Sequence, residues 1–208
     1  MQHELLEEER EIRDAELLIL LISGEAGGII SILHLHKIFF FLWKFHPQVR
    51  RLVDFVPHLK GPYSFELDDL IKNPTYIVDC WRYIPPLNRS EAEKVKGGYL
   101  EITEKGRELY NKLVEGLNKK AKEDEDALAL TSAVDLIVPL YTRLGWDELL
   151  FLLYTDETNK KFSEKSELSG SILKNSERIV DRLVKKGIIP EEKRESLIKR
   201  AKSAWWIM

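Results

Sequence analysis

The chain has 208 residues, 44% of them apolar, enough for one generous domain or for a small domain with a helical extension. Charged residues make up 32% and nearly cancel, and the formal net charge of −3 excludes bulk attraction to nucleic acid or to an acidic membrane, so charge has to be read locally. A single cysteine, Cys80, excludes an internal disulfide framework and a cysteine-based zinc site within one chain.

The N-terminal run "MQHELLEEEREIRD" is acidic where a secretion signal needs positive charge, and with the lone cysteine it points to a reducing cytoplasm. Residues 4–23 are helix formers, acidic first and apolar afterwards, with Gly24 as a natural stop, which predicts a first helix. The most apolar stretch, residues 17–45, is broken by Ser23, Gly24, Glu25, Gly27 and Gly28 and carries His34, His36 and Lys37. It reads as two helices, not as a membrane span. Ser31 is placed to cap the second helix, which runs to Phe45 and stops at His46-Pro47. At about 100° per residue, Lys37 and Lys44 share one narrow side, and apolar side chains from Ile32 to Phe45 cover most of the rest, so this helix is expected in the core.

Residues 48–59 read as a short helix or an irregular connection interrupted at Pro57. In "HLKGPYSFELDDL", residues 58–70, Gly61-Pro62 makes a corner and Ser64 sits at the N-cap of a third helix that ends near Lys72, before Asn73-Pro74. "TYIVDCWRY", residues 75–83, alternates and is rich in β-branched and aromatic residues, and "GGYLEIT", residues 97–103, is a second strand. The polar, proline-broken segment between them makes the pair a hairpin with a long tip, a wing. Thr103 caps a fourth helix over 104–126. The remainder is helical: 127–144 around Pro139, a break at Gly145, 146–157, a polar loop over 158–168, then 169–186 and a last helix over 190–201 started by Pro190, Glu191 and Glu192.

Helix, helix, helix, hairpin, helix is the order of a winged helix-turn-helix domain. The expected fold class is therefore mainly α with a small β-hairpin: a winged helix-turn-helix over residues 1–122 and a C-terminal helical region over 123–208. Four blocks also resemble, in order, those of the YwgA-type winged-helix proteins: "LHKIFFFL" at 35–42, "GPYSFELDDL" at 61–70, "LEITEKGREL" at 100–109, and "WDELLFLLYTDE" with the following "FSEKSEL". The SocA or Panacea domain of antitoxin-associated proteins is more distantly similar. The resemblance covers about residues 12–168 and implies a winged helix with a helical C-terminal part, of bacteria or archaea, in transcription regulation or as an adaptor working with toxins. It implies no catalytic set. Leu35-His36-Lys37 stands where the family usually has Leu-Gln-Lys, and the wing tip is long. Glutamine occurs only at Gln2 and Gln48 beside abundant Lys and Glu, a bias of thermophile proteins.

A winged helix normally lays its third helix in the major groove. Here Leu67, Leu70 and Ile71 face the core, which leaves Phe65, Asp68, Asp69 and Lys72 outward with Glu66 to one side, a poor surface for phosphates. The nucleic-acid candidates are therefore Lys60, Tyr63 and Ser64 at the corner, Arg82, Arg89, Lys94 and Lys96 on the wing, and Lys174, Arg178, Arg182 and Lys185 in the C-terminal segment. Residues 169–208 hold 10 basic and 5 acidic residues and are the only basic segment, although Glu177 and Asp181 stand where they can pair within it. Phe65, Trp205 and Trp206 are the candidate anchors for a protein partner. His34 and His36 point about 160° apart on a helix and make no metal pair.

No catalytic set and no cofactor loop is present, and Ser169-Gly170-Ser171 lacks the setting of a nucleophile elbow. The sequence thus points to a non-enzymatic regulator that binds nucleic acid, DNA by preference. The alternative is an antitoxin-like adaptor that uses the same domain to bind protein. The aromatic run Phe39, Phe40, Phe41, Trp43 and Phe45 reads chiefly as core, with a part left for a second subunit or the C-terminal helices, and the terminal "WWIM" either clasps a homodimer or folds back on its own chain; a homodimer is the expected assembly.

Overall fold

A computed structural model describes the backbone of residues 2–87 and 90–205, and their side chains except at 2–5, 91, 92 and 205. The molecule is mainly helical with two small antiparallel sheets, and no helix among the described residues is long and apolar enough to cross a membrane. It divides into two compact units that interleave in sequence: Met1–Asp54 with Ser64–Thr142, and Phe55–Tyr63 with Arg143–Met208. The first unit therefore runs past the expected boundary at residue 122 and lacks residues 55–63.

In the first unit α1 (Gln2–Glu25) leads through β1 (Ile29–Ser31) into α2 (Ile32–Phe45). Ser31 caps α2 as expected: its Oγ accepts from the His34 amide and lies 2.7 Å from His34 Nδ1. Ile19 and Ile22 of α1 and Leu35, Ile38, Phe39, Phe40 and Leu42 of α2 are fully enclosed, which makes α2 the centre of the core. Two expectations fail on this helix. Lys37 is buried, and Phe45, the last residue of the helix, is 68% exposed although Leu42 and His46 beside it stay buried.

After a 3-10 turn at Val49–Arg51, the first unit resumes with α3 (Phe65–Lys72), β4 (Trp81–Ile84), α4 (Glu91–Lys96), β5 (Tyr99–Ile102), α5 (Glu104–Lys120) and α6 (Glu125–Thr142). The sheet order is β1-β5-β4, all antiparallel, with Leu100 opposite both Ile30 and Tyr83. The expected hairpin is present but shorter, and a helix, α4, stands at its tip. The first strand begins only at Trp81, because the amides of Thr75, Tyr76 and Ile77 are taken by the carboxylate of Glu16, a fully buried acid on α1. Those amides have no hydrogen left for a ladder. Trp81 ties β4 to α3 by donating Nε1–H to the Ile71 carbonyl at 2.8 Å. Behind it α5 comes so close that a methyl at Gly106 would lie 1.8 Å from the Cys80 carbonyl oxygen. Burial pushes the Cys80 thiol pKa up, as suits a packed thiol.

In the second unit β2 (Val56–His58) and β3 (Gly61–Tyr63) form a hairpin where a helix or irregular connection was expected. Gly61 turns the corner at φ +86°, and a side chain there would meet the Tyr154 ring at 3.4 Å. Then come α7 (Trp146–Tyr154), α8 (Lys160–Glu164), α9 (Ser169–Lys174), α10 (Ser176–Lys185) and α11 (Arg194–Trp205). The expected polar loop over 158–168 contains α8 because Phe162 is buried and holds it down. The expected helix over 169–186 is split at Asn175, where ψ is 17° and the side-chain amide donates back to the Ser171 carbonyl.

Candidate functional site

The corner that promised a DNA-reading element is divided between the units: Lys60 and Tyr63 belong to the β2–β3 hairpin, and Ser64 opens α3 in the other. Ser64 is fully buried and does not offer its hydroxyl to a phosphate. Its Oγ accepts from the Leu67 amide at 3.1 Å and donates to Glu66 Oε2 at 3.1 Å, while the same Glu66 oxygen accepts from the Asp54 amide at 3.0 Å. The Tyr63 ring is stacked on His58 with centroids 4.6 Å apart. Partial burial of Lys60 lowers its ammonium pKa, a sign that its charge is carried at a cost.

On α3 the core face is as expected, with Leu67, Leu70 and Ile71 buried. Outward, Lys72 is held by Asp68 at 2.5 Å, an interaction that raises the lysine pKa and removes the one cation of this face as a free charge. Phe65, at the first position of the helix, is 64% exposed. What the helix presents is an aromatic ring among carboxylates.

The β4–α4–β5 segment shows the same pattern. Arg82 donates to Glu101 across the ladder at 2.6 Å, and Lys96 donates to Tyr99 Oη at 2.8 Å and to Glu93 at 3.1 Å. Lys94 is exposed on α4. Arg89 lies outside the described residues.

In the C-terminal segment the four candidate cations meet different surroundings. Arg182 binds Asp147 and lies 2.9 Å from Glu148, while Lys186 reaches Glu148 at 2.5 Å and donates to the Arg143 carbonyl at 3.0 Å. Glu148 is 1% exposed and also accepts from the Gly145 amide at 2.7 Å. Burial alone would raise the Glu148 pKa, but the hydrogen bonds from Lys186, Gly145 and Arg182 outweigh it and hold the carboxyl below its usual range. Arg182 is thus a structural cation that clasps α10 to α7. Lys202 pairs with Glu177 at 2.8 Å and Arg194 with Asp181 at 2.7 Å. Lys174, Arg178 and Lys185 are exposed and make no ion pair among the described residues. Trp205 ends α11 with its side chain outside the described set, and Trp206 lies outside it altogether.

Sequence reasoning missed Glu16 and Glu148, the two carboxylates that organise their surroundings. The available signal was an acid set inside an apolar run, in "DAELLILL" and "WDELLFLL". It also missed the charge contrast between the units, because they interleave: the first holds 17 basic and 24 acidic residues, the second 15 and 11. No protein-family model matches the chain, and neither does any curated protein.

Proposed function

We propose that the chain is a non-enzymatic regulatory adaptor whose N-terminal part, a winged-helix unit by element order and by its resemblance to the YwgA-type proteins, binds a protein partner through the outward face of α3. The observation that carries this is the exposed Phe65 ring on a helix whose other outward groups are acidic or already paired. An aromatic side chain is the residue type that supplies most of the energy of an interface when it enters a pocket on the partner. DNA binding fits less well. Docking on a duplex needs cations free to replace counterions, and Arg82, Lys96 and Arg182 are committed to internal carboxylates.

One observation favours nucleic acid instead, the exposed Lys174, Arg178 and Lys185 in a unit with a basic excess. Two measurements separate the roles. Fluorescence anisotropy against a labelled duplex of mixed sequence at low salt is expected to show no saturable binding, and an affinity that falls steeply with salt would overturn the adaptor role. Gentle purification of the native protein is expected to bring a polypeptide with it, retained at high salt and lost in Phe65→Asp; retention by that variant would remove α3 from the interface.

A further inference from the structure

A ring that is 64% exposed, as Phe65 is, takes its direction mainly from its backbone, and the backbone here is held on both sides. The chain leaves the first unit after Asp54, makes the nine-residue excursion Phe55–Tyr63 and returns at Ser64. One oxygen binds both ends of that excursion: Glu66 Oε2 accepts from the Asp54 amide at 3.0 Å and from the Ser64 hydroxyl at 3.1 Å. With its proton given to Glu66, Ser64 Oγ turns a lone pair to the Leu67 amide at 3.1 Å. A relay thus runs from Asp54 through Glu66 and Ser64 into the first turn of α3, and Phe65 stands between the two relay side chains.

The strand register explains why a side chain is needed. Val56 pairs with Tyr63, and the same register carried two residues further would set Asp54 opposite Phe65. A ladder cannot continue there, because Ser64 is the N-cap and Phe65 the first residue of α3. Glu66 gives the Asp54 amide the acceptor that a strand would have given it. The first amides of a helix have no acceptor within the helix, so its first turn is where it opens most easily. Tying that turn to Asp54 keeps Phe65 ordered before a partner arrives, and ordering that is complete beforehand does not weaken binding.

We infer that Glu66 is the positioning residue of the α3 interface: it joins Asp54 to Ser64 and so holds Phe65 in the direction in which a partner meets it. This rests on the reading of α3 as the partner-binding face and adds what keeps that face ready. The role is that of a hydrogen-bond acceptor, which the amide oxygen of glutamine can fill; a charge contact with the partner would need the carboxylate itself.

The test places 4-fluorophenylalanine at position 65 of the full-length protein, where fluorine NMR reports that ring alone, and follows exchange of the Asp54 amide. Glu66→Ala is expected to move the fluorine resonance toward its position in urea and to speed the exchange about tenfold. Glu66→Gln should leave the resonance in place and the exchange within about threefold of the unaltered protein. Asp69→Ala, which removes an exposed acid of the same helix bound to Asn73, should change neither. Retention of the co-purifying polypeptide at high salt should fall about threefold or more in Glu66→Ala and hold in Glu66→Gln. Should circular dichroism show Glu66→Ala unfolded, Ser64→Ala cuts the relay at its other arm and should move the resonance the same way. An unmoved resonance with unchanged exchange would overturn the proposal, and so would glutamine behaving as alanine, which would make Glu66 a charge contact. Loss of the polypeptide in Phe65→Asp beside an unmoved resonance in Glu66→Ala would remove only the part of Glu66. Retention by Phe65→Asp would remove the interface itself, whatever the resonance does.

Discussion

Helices α3 and α10 both carry charged outward faces in the sequence, and the structure treats them differently. On α3 the charges are settled locally: Lys72 pairs with Asp68 one turn back, and Glu66 serves the Ser64 cap. On α10 they are settled by neighbours: Arg182 goes to α7, Asp181 to Arg194 and Glu177 to Lys202 of α11. The first helix is left with an exposed aromatic ring, the second with two exposed cations, Arg178 and Lys185. A helix wheel gives the direction of each side chain but not which neighbour lies there, and the neighbour decides whether a charge is a binding group or a clasp.

The sharpest way to break this contrast is at Glu148. Removing a buried carboxylate and leaving its cations costs about 3–5 kcal/mol, and because Arg182 and Lys186 are 35% and 36% exposed, water recovers part of it. Glu148→Ala is expected to lose about 2–3 kcal/mol in urea unfolding followed by circular dichroism. A loss below about 1 kcal/mol would mean that Arg182 is free for an external anion after all. The pH dependence has a fixed sign. A carboxyl held below its unfolded value of about 4.3 contributes fully above that pH and loses its contribution as pH falls through the folded value. The stability gap between the unaltered protein and Glu148→Gln should therefore be constant near neutrality and shrink below about pH 4.

The matching test on α3 is smaller. Ser64→Ala removes the cap and leaves the Leu67 amide and Glu66 without their hydroxyl, with an expected loss of about 1 kcal/mol. If the loss is negligible, the corner is not what fixes the start of α3.

Much of the architecture was legible because its signals are local. Ser31, Ser64 and Thr103 are side-chain caps where the sequence places them, since a hydroxyl before an apolar period has few other uses. The buried face of α3 follows from spacing alone, whereas on α2 spacing puts Lys37 outside and Phe45 inside, and the structure has them the other way round. What was not legible depends on distant partners. Residues 75–80 have strand composition but surrender their first amides to Glu16, some sixty positions earlier. Lys174, Arg178, Arg182 and Lys185 recur at spacings of three and four, as a phosphate track would, but Arg182 is spent on Asp147 and Glu148. The candidate interface suffered most, because a free cation and a clasped one are identical in sequence.

The two helices also differ in what surface substitutions should do. Phe65→Asp replaces a ring that is 64% exposed, so its stability should stay within about 1 kcal/mol of the unaltered protein while partner retention is lost. Arg178→Glu with Lys185→Glu should also leave stability within about 0.5 kcal/mol, since neither cation has an ion pair among the described residues to lose. If α10 served nucleic acid, that double reversal would abolish low-salt duplex binding and flatten its salt dependence, because each cation contacting phosphate adds to the slope. If α3 is the working surface, the double variant keeps its partner and Phe65→Asp does not. Exchanged outcomes would invert the contrast between the helices and return the binding function to the C-terminal segment.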